Sequence, residues 1–420
     1  MESYEWEGDS PKSLKHLCIR KLVLNKEIFC NKNFFYWHLK DGIVLPNIIS
    51  EMILEALLEE PTSMGDDIIN IFRNTERTNL KRVDLRQSTM TNEGLKTVLE
   101  HRLSMLAIGG NQYYLSRTLF HINEYGDSLK SLCLEEGLGK MLIGIYKHNH
   151  QRCWYNEKCP LGTPNLEKLI VRLDSNVKFM PHITGTICIR LLILPLKKLT
   201  HLDISNAVLG NCHHYTLAQT NLTVLKLHDA YRVTTLIRSI MCIKTLKVLD
   251  ISRSMRREGM FMAPIETFFE LLTRLSSLES LDLSGTNLAE GIDRCDLRPC
   301  KNLPLSFIGL YDTDGACSKS NIPALKYSGD ADEIQLLTAL TAFMEYPLML
   351  CKVLMNLHKL LITQKTSSNL NLTISLIEKA IISTPGNRDV HLRGRYESCA
   401  SAIYIYTQRR LGDVIRYIYR

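Results

Sequence analysis

A triad of aliphatic residues, L-x-x-L-x-L, recurs from residue 80 onward and restricts this chain to a narrow set of folds. Its copies are Leu80-Val83-Leu85, Leu103-Leu106-Ile108, Leu129-Leu132-Leu134, Leu166-Leu169-Val171, Leu199-Leu202-Ile204, Leu222-Leu225-Leu227, Leu246-Leu249-Ile251 and Leu278-Leu281-Leu283. Their starts lie 23, 26, 37, 33, 23, 24 and 32 residues apart. Several intervals match the period of a leucine-rich repeat, and the longer ones imply insertions. Within each copy the alternation turns the second and third aliphatics inward on a short strand, so stacked copies make a parallel sheet. The asparagine that follows a regular copy is present at Asn111 but replaced by Ala207, Ala230 and Ser254. The repeats are therefore irregular, and they leave the ligand unspecified.

Composition narrows the function classes. A chain of 420 residues suits a solenoid or several domains, and 45% hydrophobic with 23% charged residues is the balance of a folded protein. Net charge is +7, from 51 basic and 44 acidic residues without a Lys/Arg block, so no nucleic-acid partner is expected. The start, MESYEWEGDSPKSL, lacks the basic-then-apolar order of a signal peptide. The apolar run from Ile187 to Leu196 contains Arg190 and is too short to span a bilayer, so no membrane partner is expected. Thirteen cysteines without regular spacing fit a reducing compartment, cytoplasmic or nuclear. His148, His150, Cys153 and Cys159, and likewise Cys295 and Cys300, match no zinc spacing. No phosphate loop, H-E-x-x-H or G-x-S-x-G element occurs, so the expectation is a non-catalytic protein with no metal and no cofactor.

The first sixty residues are organised differently. Ser10-Pro11 predicts a helix start, and Leu14, Leu17, Cys18 and Leu22 then share one helical face. Lys12, Lys15, Arg20 and Lys26 lie mainly off that stripe. A cysteine within it is a small, polarizable apolar residue, suited to a shallow pocket on a partner groove. The cluster Phe34-Phe35-Tyr36-Trp37 is expected to pack between this helix and a second one opened by Pro46. The second helix carries Glu51, Glu55 and Glu59 on a polar stripe and Ile49, Ile53, Leu54, Leu57 and Leu58 on an apolar face, and Pro61 ends it.

These two segments resemble known boxes. SLKHLCIRKL resembles an elongin C-binding motif at Ser13, Leu14, Cys18 and Leu22. LPNIISEMI resembles the companion cullin-2 box at Leu45, Pro46, Ile49 and Ile53, and Ile48 stands where the cullin-5 form has a second proline. The alternative is that both helices only cap the domain behind them, since every helix needs an apolar face.

Past Asn302 the pattern turns helical. Asp330 or Asp332 is expected to cap a helix running through Phe343 and ended by Pro347. Further helices are expected near Leu348–Thr363, Leu372–Ser383, Tyr396–Thr407 and Leu411–Tyr419, spaced like armadillo repeats of about 40 residues. The order of parts, with the LPLSFIGLYDT and NIPALKYSGDA junction, resembles the Zyg eleven and Zer one family. The resemblance implies a leucine-rich repeat α/β solenoid followed by all-α armadillo-like repeats, with an N-terminal helical docking module. It also implies a substrate receptor of a cullin-2 ubiquitin ligase, with elongin C (and elongin B), cullin-2 and protein substrates as partners. The expected organisation is box helices over 1–62, repeats over 63–302, and junction plus partial helical array over 303–420. Family members are implied to read N-terminal glycine through later armadillo repeats. The sequence ends at Arg420, and no residue here can be assigned to that pocket, so glycine recognition is not expected of it. A repeat scaffold without ligase role, or a shortened competitor, are the competing expectations.

Overall fold

The eight triads form the core their spacing predicts. In the computed structural model, which describes residues 14–59, 65–86, 88–109, 115–135, 161–172, 193, 195–207, 209, 220–255, 260–292, 305–314, 324–364 and 369–383, no member of any triad is more than 3% exposed. Two units divide the chain, Met1–Leu246 and Lys247–Arg420.

The first unit opens with α1 (Leu14–Leu24), a hairpin of β1 (Cys30–Lys32) and β2 (Trp37–Leu39), α2 (Asn47–Leu58) and the short α3 (Asp66–Ile69). Parallel strands follow: β3 (Arg82–Leu85), β4 (Met105–Ile108), β5 (Ser131–Leu134), β6 (Lys168–Val171), β7 (His201–Asp203) and β8 (Val224–Lys226). Val83, Leu106, Leu132, Leu169, Leu202 and Leu225 stand opposite one another from strand to strand, so the triads stack without stagger. Helices α4 (Asn92–Leu99), α5 (Leu115–Tyr125) and α6 (Val233–Ile240) run between strands or after the last of them. Leu95, Val98 and Leu99 give α4 one buried face, and Thr91 caps it by accepting from Glu93 N at 3.2 Å.

One backbone motif recurs at each step of the stack. Lys81 O accepts from both Ser104 N and Met105 N, at 2.8 and 3.0 Å. Ser104 O likewise accepts from Lys130 N and Ser131 N, Lys130 O from Glu167 N and Lys168 N, and Glu167 O from Thr200 N and His201 N. The first repeat has no predecessor, and bare N–H groups on an edge strand invite wrong pairing. Here Glu51 on α2 stands in for the missing carbonyl: its Oε1 accepts from Lys81 N and Arg82 N, at 2.9 Å each. Asn47 Nδ2 donates to the same oxygen at 2.9 Å, Leu45 N donates to Arg77 O at 2.7 Å, and Arg77 Nε donates to Ile43 O at 3.0 Å. Helix α2 is thus the cap of the stack, and it lies in the same unit as strands β3 to β8.

A buried histidine closes the same end. Leu80 N donates to His101 Nδ1 at 3.3 Å, while His101 Nε2 lies 2.6 Å from Phe72 O. A carbonyl only accepts, so the ring is the neutral tautomer protonated on Nε2. Burial holds the imidazole below its ordinary range, against a smaller opposite effect of the Phe72 bond.

The second unit continues the same architecture through β9 (Val248–Asp250), α7 (Pro264–Arg274), β10 (Ser280–Asp282), β11 (Phe307–Gly309) and β12 (Lys326–Ser328), with β9 to β12 paired in parallel order. Leu305, Ile308 and Leu310, which flank and enter β11, are a further buried triad. The turns are closed locally. Asp250 Oδ1 accepts from Ser252 N and Oγ at 2.9 and 2.5 Å, and Asp282 Oδ1 from Ser284 N at 3.0 Å. In the first unit Asp203 does the same for Ser205. This aspartate, two residues before a serine, holds the turns at Ala207 and Ser254, where the regular repeat asparagine is missing; at Ala230 the corresponding residues are Lys226 and His228. Gly285 adopts φ +69, and a Cβ there would lie 1.9 Å from Arg253 O.

Three helices complete the described part: α8 (Glu333–Ala342), α9 (Pro347–Gln364) and α10 (Leu370–Ser383). Of the two candidate caps it is Asp332 that accepts from Gln335 N, at 2.9 Å. Pro347 is the first residue of α9, where a proline needs no amide partner. Tyr311, Leu340, Phe343, Leu350 and Val353 form their shared core. The expected helices at Tyr396–Thr407 and Leu411–Tyr419 lie outside the described residues. No helix among the described residues is long and apolar enough to cross a membrane.

Three outcomes follow for urea unfolding of the full chain. Glu51→Ala removes the acceptor of two backbone amides and should cost about 1–2 kcal/mol, while Glu51→Gln, which keeps Oε1, should cost less. Gly285→Ala should cost on the order of 3 kcal/mol, since strain and a clash with backbone act together. His101 has a depressed folded pKa, so its contribution is full above the ordinary imidazole value of 6.5 and is lost as pH falls through the folded value. His101→Gln should therefore lose part of the acid destabilisation that the wild type shows below that pH.

Candidate docking surface

Helix α1 has two apolar sides, and the fold uses one. Ile19 and Val23, four residues apart, are buried, Val23 to 1%, and the helix packs on α2. His16 Nε2 lies 3.8 Å from Glu59 Oε2 across the same contact. On the opposite side Leu14 is 78% exposed and Leu17 is 50% exposed, with Cys18 and Leu24 exposed beside them. At 100° per residue Leu14, Leu17 and Leu24 fall within an arc of about 80°, and Val23 lies about 100° or more from each. The sequence-predicted stripe is therefore the side turned away from the chain's own core. Leu22 sits half-buried at its flank, and Ser13 lies outside the described residues.

The second box divides differently. Pro46 and Ile48 are exposed and Ile49 is half-buried at the start of α2. Leu45 and Ile53 are buried, Ile53 completely. Leu45 is tied by its amide to Arg77 O, and Ile53 shares the inward face of α2 with Leu54 and Leu57. They hold the helix in place, and the outward apolar atoms of this box are those of Pro46, Ile48 and Ile49.

The expected packing of the aromatic cluster is corrected. Only Trp37 packs inward, because period-2 alternation along β2 buries Trp37 and Leu39 and exposes His38. Phe34 is 98% exposed, Phe35 is 75% exposed, and Tyr36 is 44% exposed. The turn that lifts them is built on Asn33, whose Oδ1 accepts from Phe35 N at 3.1 Å and Tyr36 N at 2.6 Å. Of 19 exposed large hydrophobic residues among the described residues, 9 lie between Leu14 and Ile48. Such concentration on one segment sets it apart from ordinary surface scatter.

The sheet of the first unit carries a second polar cluster. Arg86 Nε donates to Asp84 Oδ1 at 2.9 Å, and its Nη1 donates to Glu135 Oε1 at 3.0 Å. Arg172 Nη1 donates to that same oxygen at 3.2 Å. Two guanidinium groups thus meet two carboxylates, and the charges balance within the cluster. Burial pushes the neighbouring Cys133 thiol up to about 12, and Cys30 likewise, so neither is a thiolate at neutral pH. The candidate zinc-type residues His148, His150, Cys153, Cys159, Cys295 and Cys300 lie outside the described residues.

Sequence reasoning missed Glu51, which reads as one of three solvated acids on a helix face. It also missed the triad at Leu305, which fits the repeat pattern but sits in a stretch dominated by turn residues.

Residues 190–313 match the family described as "Zer-1-like, Leucine-rich repeats". The chain is 33% identical over 386 residues to the protein zer-1 homolog of Drosophila melanogaster, covering 84% of this chain and 46% of that relative. It is 24% identical over 376 residues to the Homo sapiens protein zer-1 homolog, covering 81% and 48%. The chain thus spans about half the length of the curated relatives it matches. Among solved structures, the Rad7 and Elc1 complex in yeast is similar at TM-score 0.31 and 14% identity, covering 73% of this chain and 90% of that one, a likeness too slight to argue from. The triads, the junction after them and the likeness over four-fifths of the length agree, and the chain belongs to the Zyg eleven and Zer one family.

Proposed function

We propose that this chain is a substrate-receptor subunit of a cullin-RING ubiquitin ligase, in which α1 docks on elongin C and the start of α2 meets cullin-2. The observation that carries the reading is the two-sided helix. Val23 and Ile19 anchor α1 to the chain, which leaves Leu14, Leu17 and Cys18 as a preformed i, i+3, i+4 ridge for a groove. The ridge coincides with the box read from the sequence, and family membership supports the same assignment. A subunit of this kind performs no bond chemistry. It holds a substrate lysine near a charged conjugating enzyme and so raises its effective concentration. In this reading α8, α9 and α10 begin an armadillo-like array that, with the repeats, presents the protein substrate.

A second reading, a repeat scaffold without a ligase role, draws support from α2. Its Glu51 and Ile53 serve the fold, so capping alone accounts for much of that helix. The two readings separate on partners: a receptor co-purifies with elongin C and cullin-2, and a scaffold retains other proteins without them.

Leu14→Ser and Cys18→Phe should each abolish co-purification of elongin C with the full chain and leave thermal unfolding unchanged, since both side chains are outside the core. Val23→Ala, on the other side of the same helix, should instead lower stability by about 1–2 kcal/mol. Elongin C retained at wild-type levels by both surface variants would sink the docking reading.

A further inference from the structure

The hairpin between the two boxes has no part in the docking just described, yet it carries the most exposed aromatic residues of that segment. We infer that its tip, Phe34-Phe35-Tyr36, is a second anchor on the subunit that takes α1, seated in an apolar cleft with an acidic rim. The inference rests on the docking reading above and extends its surface beyond the two helices.

Solvent exposure alone does not carry this, but rigidity does. Asn33 Oδ1 holds Phe35 N and Tyr36 N, and Asn33 N donates to Tyr36 O at 3.0 Å, so the turn is closed from both sides. Below it, Cys30 pairs with Leu39 and Lys32 with Trp37. Lys40 N donates to Phe29 O at 3.0 Å, and Lys40 Nζ donates to Ile28 O at 3.2 Å. Two phenyl rings are therefore presented on a braced base. The backbone beneath them has little freedom left to lose when they are covered, which lowers the ordering cost of binding.

Charge specifies the kind of cleft. Residues 14–40 hold six Lys/Arg (Lys15, Arg20, Lys21, Lys26, Lys32 and Lys40) against the single acidic residue Glu27. The Lys26 and Lys32 ammonium groups stand 5.1 and 5.5 Å from the Trp37 ring, at the foot of the aromatic tip. A partner surface that covers the rings must also meet these cations, so carboxylates around an apolar cleft are the complement. Exposed Leu24 and Ile28 continue the apolar ridge of α1 along the chain toward the hairpin. That continuity favours one partner for ridge and tip.

The test uses the full chain with purified elongin B/C heterodimer. Phe34→Ser/Phe35→Ser should unfold at the wild-type temperature and bind about ten- to hundredfold more weakly. Phe34→Ser alone alters a side chain almost wholly in solvent and should show a smaller loss in the same direction, which guards against a folding defect in the double variant. Wild-type affinity in both tip variants, beside lost binding in Leu14→Ser, would overturn the tip anchor and leave the docking reading standing. A wild-type chain that does not bind elongin B/C at all would bring down the docking reading and this inference with it. Anionic phosphatidylserine vesicles serve as the other arm. Vesicle binding lost in the double variant with elongin affinity unchanged would make the tip a membrane anchor and overturn the inference.

Discussion

One carbonyl that accepts two amides from the next repeat is the interaction on which the first unit depends. A three- or four-residue parallel strand has too few ladder bonds to align itself, and the shared carbonyl sets where each new strand begins. With the start fixed, the aliphatic triads superpose and bury completely. A stack built this way cannot begin without an acceptor. Glu51 supplies it from a helix, so a side-chain oxygen does at the edge what backbone does everywhere else. The cost of omitting it would be two unsatisfied amides and an open sheet edge.

That constraint changes how the two N-terminal helices are understood. Helix α2 is bound into the fold by Glu51, Leu45 and Ile53, and among the box residues only those at its start, Pro46, Ile48 and Ile49, face outward. Helix α1 rests on α2 through Ile19 and Val23 and keeps its other side bare. A helix mounted this way has its direction set by the repeats, because the helix beneath it is part of their cap. The same framework holds the hairpin, with Trp37 packed inward and the three aromatics before it turned outward.

Much of this was legible in residue spacing. The triads are hydrophobic at fixed intervals, and no other arrangement buries all of them, so strands, parallel order and core followed directly. The stripe Leu14-Leu17-Cys18 was legible because helical geometry puts those positions on one face. Less was legible where a residue's role depends on something distant in sequence. Glu51 meets Lys81 and Arg82, thirty residues on, and nothing in a helix of alternating acids singles it out. Phe34 and Phe35 read as core, since composition favours burying aromatics, but a turn closed by Asn33 holds them out.

By itself, the sequence determined the repeat fold, the alternation of inward and outward positions, and the apolar stripes of α1 and α2, because these follow from local periodicity and side-chain chemistry. Only the tertiary structure decided which side of each box is available. Helices α1 and α2 each carry more apolar surface than one contact can cover, and periodicity cannot say which part the chain keeps for itself. Packing of α2 against the first repeat, and of α1 against α2, settled it: Ile53 and Val23 went inward, and Leu14, Leu17 and Cys18 remained outside.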